Sequence, residues 1–146
     1  MRISKLSPLF AGVAVSAALL VASPALAEMM KMSATLEASQ EVPPNDSAGK
    51  GTAELTFDTE SKMLEWTVEY SDLTGPATAG HIHGPAPAGE NAGVVVPFEE
   101  AASPIKGSAT LTEEQEADLT AGNYYVNIHT DAHPDGELRG QIAPAM

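Results

Sequence analysis

The stretch from Gly51 to Tyr70 leaves this chain few ways to fold. Ala53, Leu55 and Phe57 alternate with Thr52, Glu54 and Thr56. Asp58 to Lys62 interrupts the pattern, and then Leu64, Trp66, Val68 and Tyr70 alternate with Glu65, Thr67 and Glu69. An apolar period of two puts one face of each run against a core and the other toward water. Two such runs joined by a short polar turn predict a β-hairpin. Trp66, the single tryptophan, is expected to be the largest residue of the core.

The same period returns along the chain. Ala34 to Ala38 reads as a strand, closed by the proline- and Asn-Asp-containing loop Gln40 to Asp46. Val94 to Phe98 is a short strand, and Pro97 assigns it to an edge. Ser103 to Leu111 alternates again. Tyr124, Val126 and Ile128 face one way, with Tyr125, Asn127 and His129 on the other side. After a turn at Pro134-Asp135-Gly136, Leu138, Gly140 and Ile142 alternate with Glu137, Arg139 and Gln141. One helix is expected, Glu113 to Leu119. Thr112 and Gln115 have capping-box spacing, and Gly122 stops it. Roughly seven or eight short strands with one short helix predict an all-β, antiparallel Greek-key β-sandwich.

The chain has no cysteine, so neither disulfides nor thiolate metal sites are available. Arg2 and Lys5 precede an apolar stretch from Leu6 to Val21 that ends in Ala25-Leu26-Ala27, the pattern of a secretory signal peptide over residues 1–27. Cleavage there predicts export, to a periplasm or out of the cell, with no membrane insertion afterwards. Residues 28–32 then read as a flexible lead-in, whose Met29, Met30 and Met32 are possible soft copper ligands. Loss of Arg2 and Lys5 takes the formal net charge from −13 to −15. That field repels nucleic acid and anionic lipid, and excludes both as partners.

All four histidines lie in two short segments, Gly80-His81-Ile82-His83-Gly84 and Asn127-Ile128-His129-Thr130-Asp131-Ala132-His133. On a strand His81 and His83 share a face ~7 Å apart, with Ile82 turned to the core. His129 sits on the non-core face of its own strand. Convergence of His81, His83, His129 and His133 would make a copper or zinc site, because neutral imidazole suits both ions. Asp131, and less directly Glu137, are candidates to fix an imidazole tautomer from behind. Arg139 is expected in a surface ion pair. No catalytic triad or phosphate-cradling loop is present.

Several of these segments occur together in a known family. Gln40-Glu41-Val42-Pro43-Pro44, Gly80-His81-Ile82-His83-Gly84-Pro85, Leu111 to Gln115, Tyr124 to Thr130 and Pro134 to Ile142 resemble the chordin-type (CHRD) domain, over residues 33–143. The resemblance implies an immunoglobulin-like or superoxide-dismutase-like β-sandwich, found in bacteria as exported single-domain proteins. It brings no activity that transfers residue by residue. The His-x-His strand is also locally similar to that of copper–zinc superoxide dismutase, which needs more histidines than this chain has.

Three function classes follow. The first is a non-enzymatic exported binding domain that holds copper or zinc through His81, His83, His129 and His133, with an unknown protein or extracellular partner. The second is a structural or adhesive module whose histidines only brace the fold. The third is a dismutase-like redox enzyme.

Overall fold

In a computed structural model, residues 26–146 are described. The signal-peptide pattern, apart from Leu26 and Ala27, lies outside them. Among the described residues the strands are β1 (Met29–Glu37), β2 (Lys50–Asp58), β3 (Met63–Ser71), β4 (Ala77–His83), β5 (Val94–Pro97), β6 (Ile105–Thr110), β7 (Tyr125–Thr130), β8 (Leu138–Gln141) and β9 (Ala143–Pro144). One α-helix among the described residues, α1, spans Glu113–Thr120 between β6 and β7. No helix among the described residues is long and apolar enough to cross a membrane.

The hairpin signal is realised as β2–β3. Ala53 faces Val68, Leu55 faces Trp66 and Phe57 faces Leu64 across an antiparallel ladder. The Asp58 carboxylate accepts the Glu60 and Ser61 amides and closes the turn. The capping box is also present: the Gln115 amide donates to Thr112 Oγ1 at 3.2 Å, and the Thr112 amide to Gln115 Oε1 at 2.9 Å. Leu119 anchors the helix in the core.

The sandwich expectation needs correction. All the strands belong to one antiparallel sheet, in the order β5-β4-β7-β8-β1-β2-β3-β6, with β9 beside β1. The sheet curls until its ends approach. Phe98, just past β5, packs on Trp66 of β3 with ring centroids 5.1 Å apart. Val96 and Pro97 share a cleft with Lys106 to Ala109 of β6. The result is a nearly closed barrel around one core that includes Leu36, Phe57, Leu64, Ile82, Val126, Ile128, Leu138 and Ile142. Alternation reports which face is apolar. It does not report whether that face meets a second sheet or the far side of its own. Register shifts in β4, at Ala77/Ala79 and Ile82/His83, help bend the sheet.

The lead-in is also different from the expectation. Met29 to Met32 belong to β1 and pair with Asp58 to Leu55. Met32 is buried in the core, so its thioether is packing material. With no disulfide, burial supplies the stability, at about 1.5–3 kcal/mol for each fully buried large aliphatic side chain.

Outside the barrel, β4, β7 and β8 carry a second buried layer that is polar. Tyr125, Asn127 and Arg139 point away from the hydrophobic core, yet they are only 3%, 3% and 1% exposed. The loops before β2 and after β4 cover them: Val42 accepts a bond from Asn91, and Pro87 accepts one from Arg139. The histidines border this layer.

Candidate metal centre

Strand pairing brings the histidine segments together. β4 and β7 are antiparallel neighbours, with His81 opposite Asn127, His83 opposite Tyr125 and Ala79 opposite His129. The same-face expectation for His81 and His83 is met, with Ile82 between them in the core. One ring nitrogen from each of His81, His83 and His129 lies within 4.8 Å of the other two. A metal held ~2.0–2.1 Å from each imidazole nitrogen needs those nitrogens about 3.4 Å apart. The His81 Nδ1 to His129 Nε2 distance is 3.0 Å, a few tenths of an ångström short of that spacing for this pair.

Backbone carbonyls fix the tautomers. His83 Nδ1 lies 3.0 Å from the Ala92 carbonyl, and His129 Nδ1 lies 2.9 Å from the Pro134 carbonyl. A carbonyl only accepts, so both rings carry their proton on Nδ1 and present a bare Nε2. His129 Nε2 takes the Nδ1 proton of His81. For His81 Nδ1 to serve as a metal ligand, that ring would have to carry its proton on Nε2 instead. His83 Nε2 is shut off from solvent and has no hydrogen-bond partner among the described residues. Its ring is edge-on to His81 at 5.3 Å between centroids.

The environment keeps the His81 and His83 rings neutral. Burial, then the charges of His129 and His83, push the His81 pKa below the usual histidine value. Burial also pushes His83 down, outweighing the Ala92 bond, with His129 and Arg139 adding to the fall. A neutral imidazole at physiological pH is a ready ligand.

Three expected site residues fall outside the cluster. His133 is in the β7–β8 turn, which is closed by paired amide bonds between Thr130 and His133. That turn keeps the His133 ring away from the other three, and it lines a shallow cleft with Glu41, Pro43 and Asp135. Asp131 is exposed at the same turn. Glu137 is completely buried but touches no histidine. It accepts bonds from Ser47 Oγ, the Thr74 amide, Thr74 Oγ1 and Thr130 Oγ1. The orienting acceptors are backbone carbonyls instead.

Two residues matter more than the sequence suggested. Tyr125 stacks on His83, with centroids 5.1 Å apart and planes 5° from parallel. Its hydroxyl lies 3.0 Å from the Ala92 amide and 3.2 Å from the Ala92 carbonyl. Arg139, expected in a surface ion pair, is buried with its guanidinium carbon 3.6 Å from the Tyr125 ring centre. It donates to neutral acceptors, Asn91 Oδ1, the Pro87 carbonyl and Gln141 Oε1. No carboxylate among the described residues is within ion-pair distance of it. Glu41 is an acid that feels its charge. Burial pushes its pKa up to about 7, against the Asn127 bond and the attraction of Arg139.

The loop after β4 sets this geometry. Gly84 has a φ of +156° where the chain leaves β4 beneath Tyr124, and a side chain there would collide with that ring. The loop returns so that the Gly84 amide meets the Gly93 carbonyl at 3.1 Å, which places Ala92 behind His83. The model of the CHRD domain matches residues 32–142, most of the chain. The chain belongs to the CHRD domain family. No curated protein and no solved structure gives a significant match. In this CHRD domain the His-Ile-His segment supplies two of the three clustered imidazoles, and the Asn-Ile-His segment the third.

Proposed function

We propose that this CHRD protein is exported and binds a copper or zinc ion through His81, His83 and His129, as a binding protein rather than an enzyme. The observation that carries the reading is the orphaned Nε2 of His83. A buried acceptor with no partner costs about 1–3 kcal/mol, and such atoms are rare in folded proteins. This one carries a lone pair, since its Nδ1 proton is committed to Ala92. It belongs to a cluster with two more imidazole nitrogens. A metal ion satisfies all three at once, whereas protonation would gather positive charge beside Arg139. The signal-peptide pattern supports export to a periplasm or the outside of the cell.

Titration of metal-free protein with Cu²⁺ and Zn²⁺ tests this. One equivalent is expected to bind, to raise the melting temperature, and to be lost in the His81→Ala/His83→Ala double variant. Unchanged binding in that variant would refute the site. A wild-type protein that binds neither ion would favour the second reading, a structural module braced by the His81–His129 hydrogen bond.

A further inference from the structure

We propose that the three-histidine site selects a monovalent soft cation, the cuprous ion, over divalent zinc, and that Arg139 is the residue that sets this preference. The inference rests on the metal-binding reading above and says which ion the site takes.

The donor set supplies the first reason. Three imidazoles gather, and no carboxylate joins them among the described residues. Zinc completes four-coordinate shells and takes a water in a three-histidine site. A cuprous ion is content with two or three nitrogen or sulfur donors. Its single charge also asks for less compensation from a neutral set.

The second reason is Arg139. A guanidinium stays charged at any physiological pH. Here it is buried, bonded only to neutral oxygens, and stacked on Tyr125. Tyr125 in turn stacks on His83. β4 and β8 flank β7 on opposite sides, so Tyr125 lies between the imidazole and the guanidinium. The two stacking distances bring the guanidinium carbon within about 9 Å of the His83 ring centre. Tyr125 fills that space, so water does not screen it. At an effective dielectric of ~20, one charge at that range changes a cation's affinity roughly tenfold for each unit the cation carries. A divalent ion therefore loses about tenfold more than a monovalent one.

Two substitutions alter this charge without touching a ligand. Arg139→Gln removes it. Asn91→Asp puts a carboxylate where the Asn91 amide oxygen now accepts from Arg139, and gives up the bond from Asn91 Nδ2 to the Val42 carbonyl. The affinities are measured anaerobically, Cu(I) against a bathocuproine competitor and Zn²⁺ against a chromophoric chelator. Circular dichroism checks that each variant is folded. Wild type is expected to bind Cu(I) at least tenfold more tightly than Zn²⁺. Each variant should narrow that ratio about tenfold and lower the reduction potential of bound copper by about 59 mV, the one-electron equivalent. Wild type that holds Zn²⁺ more tightly than Cu(I) would overturn the proposal and leave the metal site standing. A folded Asn91→Asp protein with an unchanged ratio and potential would overturn the role of Arg139. Binding of neither ion would remove the metal reading itself, and this inference with it.

Discussion

Glu137→Gln tests how this disulfide-free barrel is held at its loop end. The Glu137 carboxylate is fully buried, and no cation is paired with it among the described residues. Burial alone would raise its pKa, but bonds from Ser47, Thr130 and Thr74 outweigh that and pull it from 4.5 down to about 2. Those donors tie together the loops before β2 and β4 and the end of β7. Each tenfold in proton affinity is worth ~1.4 kcal/mol, so the depression stabilises the fold by about 3 kcal/mol. The sign follows from the direction. A carboxyl with a depressed folded pKa stabilises above its unfolded value of 4.5 and loses that contribution as pH falls toward 2. At pH 3 the unfolded chain is mostly protonated at this position and the folded one is not, so ~2 kcal/mol of the contribution is gone. Urea denaturation of wild type and Glu137→Gln, at pH 7 and pH 3, isolates the effect because every other acid is common to both. The expected gap is about 2–3 kcal/mol at pH 7, narrowing to about 1 kcal/mol at pH 3. A gap of equal size at both pH values would refute the ionised, hydrogen-bonded carboxylate as its source.

Other outcomes follow from the same geometry. Glu41 shifts the opposite way, up to about 7, so the fold loses stability as pH rises from 4.5 through 7. Glu41→Gln keeps an acceptor for Asn127, and should flatten that slope and raise stability at pH 8 by roughly 1–3 kcal/mol in denaturant titrations. His83→Ala should abolish metal-dependent stabilisation in calorimetry, yet cost the metal-free protein less than ~2 kcal/mol, because it also removes an unsatisfied buried atom. Gly140→Ala would place a methyl group 2.5 Å from the Thr35 carbonyl oxygen. It should destabilise by about 1–3 kcal/mol or more by chemical denaturation, since that neighbour is backbone and cannot rotate away.

Part of the site was legible from residue order. The period of two placed His81, His83 and His129 on non-core faces, and put Tyr125 and Asn127 on the face of His129. Nothing in that pattern marked Tyr125 as a stacking partner of His83. The acceptors behind the rings were not legible. They are the carbonyls of Ala92 and Pro134, and every residue has a carbonyl. His133 and Glu137 were misjudged because proximity in sequence stood in for proximity in space. A tight turn diverts the first, and the Thr74 and Ser47 loops claim the second.

The sequence by itself determined the local grammar of this protein: alternating strands, the Asp58 turn, the Thr112 capping box, the absence of disulfides and the exclusive clustering of histidine. Each of these depends on residues a few positions apart. Tertiary structure decided that the strands form one curled sheet rather than two stacked ones, that Met29 to Met32 extend β1, and that Arg139 is buried. Those outcomes depend on which strands pair and which loops cover them. An arginine on an outward face reads as a surface charge until the loops of Asn91 and Pro87 close over it, and only then does its charge reach His83 through Tyr125.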